Sequence, residues 1–402
     1  MKLIKFENKD LNESKISKTL NKRKAIIAII IFLIIIVLII LSAVYITNSN
    51  FRNIIDTNIF RKNITENNTS IIEIQKDKNP YFYAYDKYIV RLQENLLTRF
   101  STSGKEEEKI KIEVNNPIFT SSGRNLVIAE KNKQRVYFIQ DKQVVWQKDL
   151  DGNISRICVN KNGYVSIILS GTAYKSVIVV FDNEGKELFK TYLSNTVAVD
   201  STVSDDNRYM SFAEVNTSGT MIQSVIKTIS IEKAKKTPDE SIVYTNKGED
   251  DSIVVNIKYQ EKNTLTALYN NRIDAIKYDK INTLKRFDNK QDKNAFSDIE
   301  LDNSIFRVLE KTANFFNSNS TVEIVNTSTS KESTYLLDGI AKNVYANENV
   351  IALNLGTEVH FISSNNGWLI KKYNSVKEIQ NIVLTNKIAG IIYHDKLELI
   401  EL

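Results

Sequence analysis

The chain has 402 residues with a net charge of +6, 12 Gly, 3 Pro, one Cys and two His. That length holds two ordinary domains or one large all-β domain, and the single Cys158 excludes an internal disulfide. Residues 1–24 carry eight basic side chains against Glu7, Asp10 and Glu13, so the tail accounts for +5 of the +6 and the other 378 residues are nearly neutral. A basic groove that tracks a phosphate backbone is therefore not expected, and no nucleic-acid partner is assigned.

Residues 25–46 read AIIAIIIFLIIIVLIILSAVYI, with no charge and nothing more polar than Ser42 and Tyr45. At 1.5 Å per helical residue the run spans roughly 33 Å, enough to cross a hydrocarbon core. Lys22, Arg23 and Lys24 abut it on one side, while the far flank holds few charges. The positive-inside rule then predicts a cytoplasmic N-terminus and an extracytoplasmic remainder. A cleaved signal peptide is the rival reading. The apolar run is longer than an ordinary h-region and no A-x-A-like site follows it, which favours an uncleaved anchor.

Four segments are expected: a basic tail (1–24), a transmembrane helix (25–46), a polar Asn-rich stalk (47–69) and a β domain (70–402). The last has period-2 alternation in short runs such as YIVRL (88–92), VYFI (136–139), VIVVF (177–181) and LELIEL (397–402), with polar clusters between. No apolar pattern at helical spacing persists there, so the domain reads as an all-β sandwich, barrel or propeller.

A repeat decides among these. A polar turn pair precedes an apolar strand at Asp86-Lys87, Ser122-Gly123, Asn162-Gly163, Asp206-Asn207, Lys262-Asn263, Asp302-Asn303, Asn347-Glu348 and Asn386-Lys387. The strands that follow start about 37, 39, 44, 56, 40, 45 and 38 residues apart. A period near 40 built of about four strands is a propeller blade. The expectation is a seven- or eight-bladed β-propeller preceded by a single N-terminal transmembrane helix. The final unit ends on its third strand, LELIEL, and SIIEIQ (70–75) is the spare strand that would complete it and close the ring.

The stretches VIVVFDNEGKELF (177–189) and VYFIQDKQVVW (136–146) resemble the repeats of quinoprotein-like, WD40-like propellers: a strand, an Asp/Asn-x-x-Gly-Lys turn, then an aromatic. Trp146, Phe189 and Trp368 stand at the aromatic place, which the resemblance implies is packed between adjacent blades. The whole is similar to an uncharacterised family of signal-anchored propellers of low-GC Gram-positive bacteria. The heavy use of Lys, Ile and Asn fits an AT-rich bacterial genome, and Asn-x-Ser/Thr triplets such as the one at Asn63 then follow from Asn abundance rather than glycosylation. Some such propellers are quinone-dependent dehydrogenases with a Ca²⁺, a catalytic Asp and an adjacent-cysteine disulfide. A vicinal Cys pair is absent here.

The chemistry-bearing residues are few. His360 and His394, 34 residues apart, fall on expected strands at similar places in successive units, and lack the further ligands a metal needs. His394-Asp395 has no G-x-S-x-G nucleophile to serve. The segment Asp149, Leu150, Asp151, Gly152, Asn153 is out of register for a Ca²⁺ loop and reads, like Glu249, Asp250 and Asp251, as an inter-blade turn. Alternating Tyr81, Tyr83 and Tyr85, and Phe315-Phe316, read as packing, with a carbohydrate-binding face as the alternative. Cys158 reads as a buried small hydrophobe. No residue is assigned a catalytic, cofactor-binding or metal-ligating role, and no cofactor is expected.

The expected function is a non-catalytic scaffold that binds a protein or envelope component beside the membrane, with the basic tail meeting anionic lipid. The alternatives are an envelope enzyme acting on glycans through channel carboxylates, or a ligand-binding sensor that signals through a partner.

Overall fold

The computed structural model describes residues 22–48, 51–52, 55–56, 59–60, 62–65, 70–75, 79–216, 222–249, 252–287, 296–314 and 317–402. Most of the basic tail, Asp250, Asp251, Phe315 and Phe316 lie outside the described residues. Two compact units separate at Ile55.

The first unit holds one helix, Lys22–Thr47. Its span Ile26–Thr47 is long and apolar enough to cross a membrane. Large side chains stand exposed all round it, Phe32 and Ile39 by 63% each. A helix apolar on every face has no stable state in water, which fits a single-pass anchor or a signal sequence.

In the second unit the described strands form eight sheets, each a blade built on four antiparallel strands. Blades 1 to 7 span residues 81–111, 117–149, 153–193, 197–247, 254–286, 296–337 and 343–374, and blade 8 spans 381–401. Strand order within each blade follows the chain, from an inner strand to an outer one, and inner strands of neighbouring blades lie side by side. The domain is an eight-bladed β-propeller. Blade 8 has three strands of its own and takes its outer one from Ser70–Glu73, which pairs antiparallel with Lys396–Glu401. The spare strand closes the ring as its position in the sequence implied.

The turn pairs of the repeat are the hairpins between the inner and second strands. Because antiparallel strands alternate in direction, these hairpins share one rim with those between the third and outer strands. The long spacing of 56 residues has a cause in blade 4. A short helix, Ile231–Lys236, capped by Ser230, and a 3₁₀ turn are inserted there between the third and outer strands. The sequence reading contained no helix in the β domain.

The core is not one mass but eight clusters, one between each pair of neighbouring blades. Successive strand residues point to opposite faces. In the third strand of blade 3, Val177, Val179 and Phe181 therefore pack toward blade 2, while Ile178 and Val180 pack toward blade 4. A strand buried on both faces is apolar at every position, which is why VIVVF reads as an unbroken run. Trp146, on the outer strand of blade 2, stacks on Phe138 at 5.2 Å and meets Phe181 of blade 3 at 5.6 Å. Gly185 (φ +82°) lies under the indole, where an added Cβ would stand 2.7 Å from Trp146 Cγ. Phe189 packs half-buried between blades 3 and 4. Trp368 is half-buried where the outer strand of blade 7 begins.

Residues 47–69, read as a stalk, give part of themselves to the propeller. Asn63–Thr65 runs parallel to Leu369–Asn374 and makes a fifth strand on blade 7. The chain thus lies on the outer edges of blades 7 and 8 in succession before entering blade 1.

Ile72 is 7% exposed in the cluster between blades 8 and 1, whereas its neighbour Ile71 is 55% exposed. Ile72→Ala is expected to cost about 2–3 kcal/mol, and Ile71→Ala less than about 0.5 kcal/mol. Urea unfolding midpoints of the two variants measure this, and equal losses would contradict the closing register.

Candidate functional site

The inner strands enclose a polar channel of about 360 Å³ that opens on the hairpin rim. Period-2 alternation puts alternate inner-strand side chains on its wall: Arg156 and Cys158 from blade 3, Asp200 and Thr202 from blade 4, Asn256 and Lys258 from blade 5, joined by Glu300 just past the inner strand of blade 6. Asp86, Asp205, Glu261, Asp302 and Glu348 reach the same space from the hairpins. Carboxylates thus outnumber the cations Arg156, Lys161 and Lys258 in a chain whose net charge is positive.

Asp200 is the most constrained of these acids. Its Oδ2 accepts from the Ile257 amide at 2.9 Å and its Oδ1 from the Ser201 amide at 3.0 Å, with Arg156 Nη1 3.9 Å away. Burial outweighs these bonds and pushes its carboxyl up to about 6. Asp298 behaves alike, raised to about 6 by burial and by the neighbouring Glu300 charge. Glu300 itself is held by Lys258 Nζ (3.4 Å) and Asn256 Nδ2 (3.4 Å). Cys158 is half-buried on the wall with its Sγ 3.8 Å from Thr202 Oγ1, and burial pushes the thiol up to about 12, so it stays protonated and poorly nucleophilic. Cys158 lies on a strand as its pattern predicts, but faces the channel and not a blade interface.

Side-chain amides stitch the rim together, a feature the sequence reading did not foresee. Asn125 of blade 2 donates to the Lys161 carbonyl of blade 3 (2.9 Å), and Asn160 of blade 3 to the Ser204 carbonyl of blade 4 (2.8 Å). Gln260 of blade 5 donates to the Leu301 carbonyl of blade 6 (2.9 Å), and Asn347 of blade 7 to the Leu384 carbonyl of blade 8 (2.6 Å). Each amide falls within two residues of a hairpin of the repeat, so the signal was present as recurrent Asn and Gln. Its meaning depends on which carbonyl the next blade brings near.

The other candidate residues sort as follows. His360 lies on the third strand of blade 7, buried, with Nδ1 2.7 Å from Tyr335 Oη of blade 6 and Nε2 2.5 Å from Glu358 Oε1. Burial lowers its pKa, and the His360 hydrogen bond holds Glu358 down at about 2. A neutral imidazole donating to Glu358 and accepting from Tyr335 satisfies all three groups, a blade contact in which the two rings are buried and Glu358 stands at the edge. His394 is on no strand: it sits exposed in the turn between the second and third strands of blade 8. The two histidines do not occupy equivalent places, because the alternation in YHDK marks the end of one strand and not the body of another. Among the described residues no group of three or more His, Cys, Asp or Glu is placed to hold a metal.

Asp149 ends the outer strand of blade 2, in a two-point pair with Arg135 (2.9 and 3.1 Å), and Leu150 to Gly152 form the inter-blade turn. Glu249 binds Arg286 at 2.7 Å. Tyr83 stacks on Phe119 of blade 2 at 5.1 Å and Tyr85 donates to the Arg124 carbonyl at 2.8 Å, so these tyrosines join blades 1 and 2.

Fold and channel define a WD40-like β-propeller. The chain belongs to a family of unknown function (DUF5711), whose model matches residues 60–402. It is similar in fold to Sqt1 of Saccharomyces cerevisiae, with a TM-score of 0.55 and 10% identity over 84% of this chain and 98% of that one. The C-terminal WD40 domain of Sif2 gives 0.53 and 11%, over 83% and 98%. No protein of curated function matches the sequence.

Asp200 sets a pH dependence. Its folded pKa lies above the unfolded value of about 3.9, so the native state holds more protons between the two and stability falls as pH rises through about 6. In Asp200→Asn that loss is expected to shrink: urea midpoints from pH 4 to 8 should decline less than in the wild type. A parallel decline in both would contradict the buried carboxyl.

Proposed function

We propose that this protein is a signal-anchored, single-pass membrane protein of a low-GC Gram-positive bacterium. In this reading its N-terminus is cytoplasmic and its propeller stands outside the membrane as a non-catalytic scaffold for a protein or envelope component. The observation that carries the proposal is the stitched rim. Hairpins of successive blades are pinned to one another by amide bonds, so a surface of many turns is held in one shape before any partner arrives. A preordered surface loses little entropy on docking, which is what a scaffold needs. Lysines of residues 1–24 supply contacts for anionic lipid at the inner leaflet.

A second reading has one observation in its favour. Buried Asp200, raised to about 6, faces a channel that also holds Glu300, and a carboxyl poised near neutrality is a general-acid candidate. An envelope enzyme acting on glycans would use such a pair. It predicts reducing ends released from purified cell wall by the wild type and not by Asp200→Asn.

The scaffold reading is tested by mild crosslinking in cells and mass spectrometry of what co-purifies with the full-length chain. A stoichiometric membrane or envelope protein is expected, lost when residues 70–402 are deleted and kept when residues 1–20 are removed. Recovery of the same proteins without the propeller would overturn it.

A further inference from the structure

A second site lies on the hairpin rim between blades 4 and 5, with Tyr259 standing between it and the channel. Tyr209 and Tyr244 of blade 4 and Tyr278 of blade 5 line a cleft of about 120 Å³. Their rings are tilted, not parallel: Tyr209 and Tyr244 meet at 56° with centroids 6.3 Å apart, Tyr244 and Tyr278 at 52° and 5.7 Å. Tyr259 and Thr228 close the floor, where the Tyr259 hydroxyl is 2.8 Å from Ser211 Oγ.

Tyr278 is held there against its own backbone preference. It sits in the two-residue hairpin between Arg272–Lys277 and Lys280–Arg286 with φ +61°, a left-handed conformation suited to Gly or Asn. Lys262 (φ +60°), Asn263 (φ +53°) and Asn207 (φ +58°), in the two neighbouring hairpins, are left-handed as well. A bulky aromatic that is half exposed and strained contributes little to folding, and strain of this kind gathers where a side chain is needed for a ligand.

Charge narrows the ligand. Asp206 is neutralised by Arg208 at 2.5 Å, while Lys262 and Lys277 line the cleft with no ion-pair partner among the described residues. Asp279 shares the hairpin with Tyr278 but does not line the cleft. A space this small is below the size of a whole drug-like ligand and takes one ring of a longer chain. Tilted faces suit a puckered ring better than a flat base, which stacks between parallel ones.

We infer that this cleft binds an acidic saccharide residue, carboxylated or phosphorylated, within a glycan chain. The sugar's C–H face packs on the tyrosines and its anion lies between Lys262 and Lys277, whose charge-assisted hydrogen bonds favour it over a neutral sugar. The inference deepens the scaffold reading by naming an envelope component, and its test is separate: glycan binding by the purified chain decides the cleft, and capture in cells decides the protein partner.

The experiment is calorimetric titration of the full-length protein in detergent with tetrasaccharides bearing a carboxylate, a phosphate or no charge. Binding of an acidic member is expected, weakened by added salt. Tyr244→Ala should reduce affinity about tenfold. Lys262→Ala with Lys277→Ala should abolish the preference for acid over neutral sugar. Tyr278→Asn separates binding from folding: asparagine accepts the left-handed turn, so the variant should unfold at the same or a higher temperature while affinity falls about tenfold. No heat with any member, equal binding of acidic and neutral members, or unchanged affinity in Tyr278→Asn would each overturn the inference.

Discussion

The structure depends on one pairing, that of Ser70–Glu73 with Lys396–Glu401. Every blade of this propeller buries both faces against neighbours, so no blade is complete until the ring is. Joining the first residues of the β domain to the last converts a row of stacked sheets into a closed circle and covers the edge of blade 8. Asn63–Thr65 extends the same clamp to blade 7. The segment leading into the propeller is thereby part of its fold.

Closure explains the distribution of chemistry. The blade interfaces take up the apolar residues in eight separate clusters, and the buried polar networks among them, such as Tyr335, His360 and Glu358, bridge adjacent blades. Tyr373 of blade 7 likewise reaches Glu398 (2.5 Å) and Tyr393 (2.7 Å) of blade 8. Polar groups that serve no interface are left in two places, the channel and the rim. In the channel, carboxylates gather from five blades because the inner strands and the hairpins that follow them converge on the same axis. On the rim, hairpins from successive blades meet. Both are places where a ligand can approach without disturbing the packing that closes the ring.

The two sites differ in physical character. The channel is roomy, acidic and lined by groups already tied to one another, with Asp200 held out of its usual range by burial. The cleft between blades 4 and 5 is smaller, aromatic and edged by Lys262 and Lys277, which have no ion-pair partner among the described residues. An enzyme would be expected to concentrate its perturbed groups where substrate enters, and the channel comes nearest to that. The rim, pinned by Asn125, Asn160, Gln260 and Asn347, is better suited to recognition.

By itself the sequence determined the apolar span, the location of the charge, the repeat near 40 residues, and the strand that closes the ring. These are one-dimensional properties: hydropathy and period-2 alternation record which faces are buried, and turn residues record where the chain reverses. The inter-blade place of Trp146 followed from the resemblance of its stretch to quinoprotein-like repeats, and the stacking on Phe138 and Phe181 bears it out. Tertiary structure decided what depends on neighbours distant in the chain. Asp200 and Glu300 share a channel although a hundred residues separate them, and Asn125 is a bolt only because blade 3 brings the Lys161 carbonyl to it. His394 looked like a strand residue because alternation continues through a tight turn, and Asn63–Thr65 looked like a spacer because one Ile between Asn and Thr is too short a run to show alternation. The cleft of Tyr209, Tyr244 and Tyr278 left no motif at all: its rings come from two strands of blade 4 and one hairpin of blade 5, and only the packing of one blade on the next sets all three side by side.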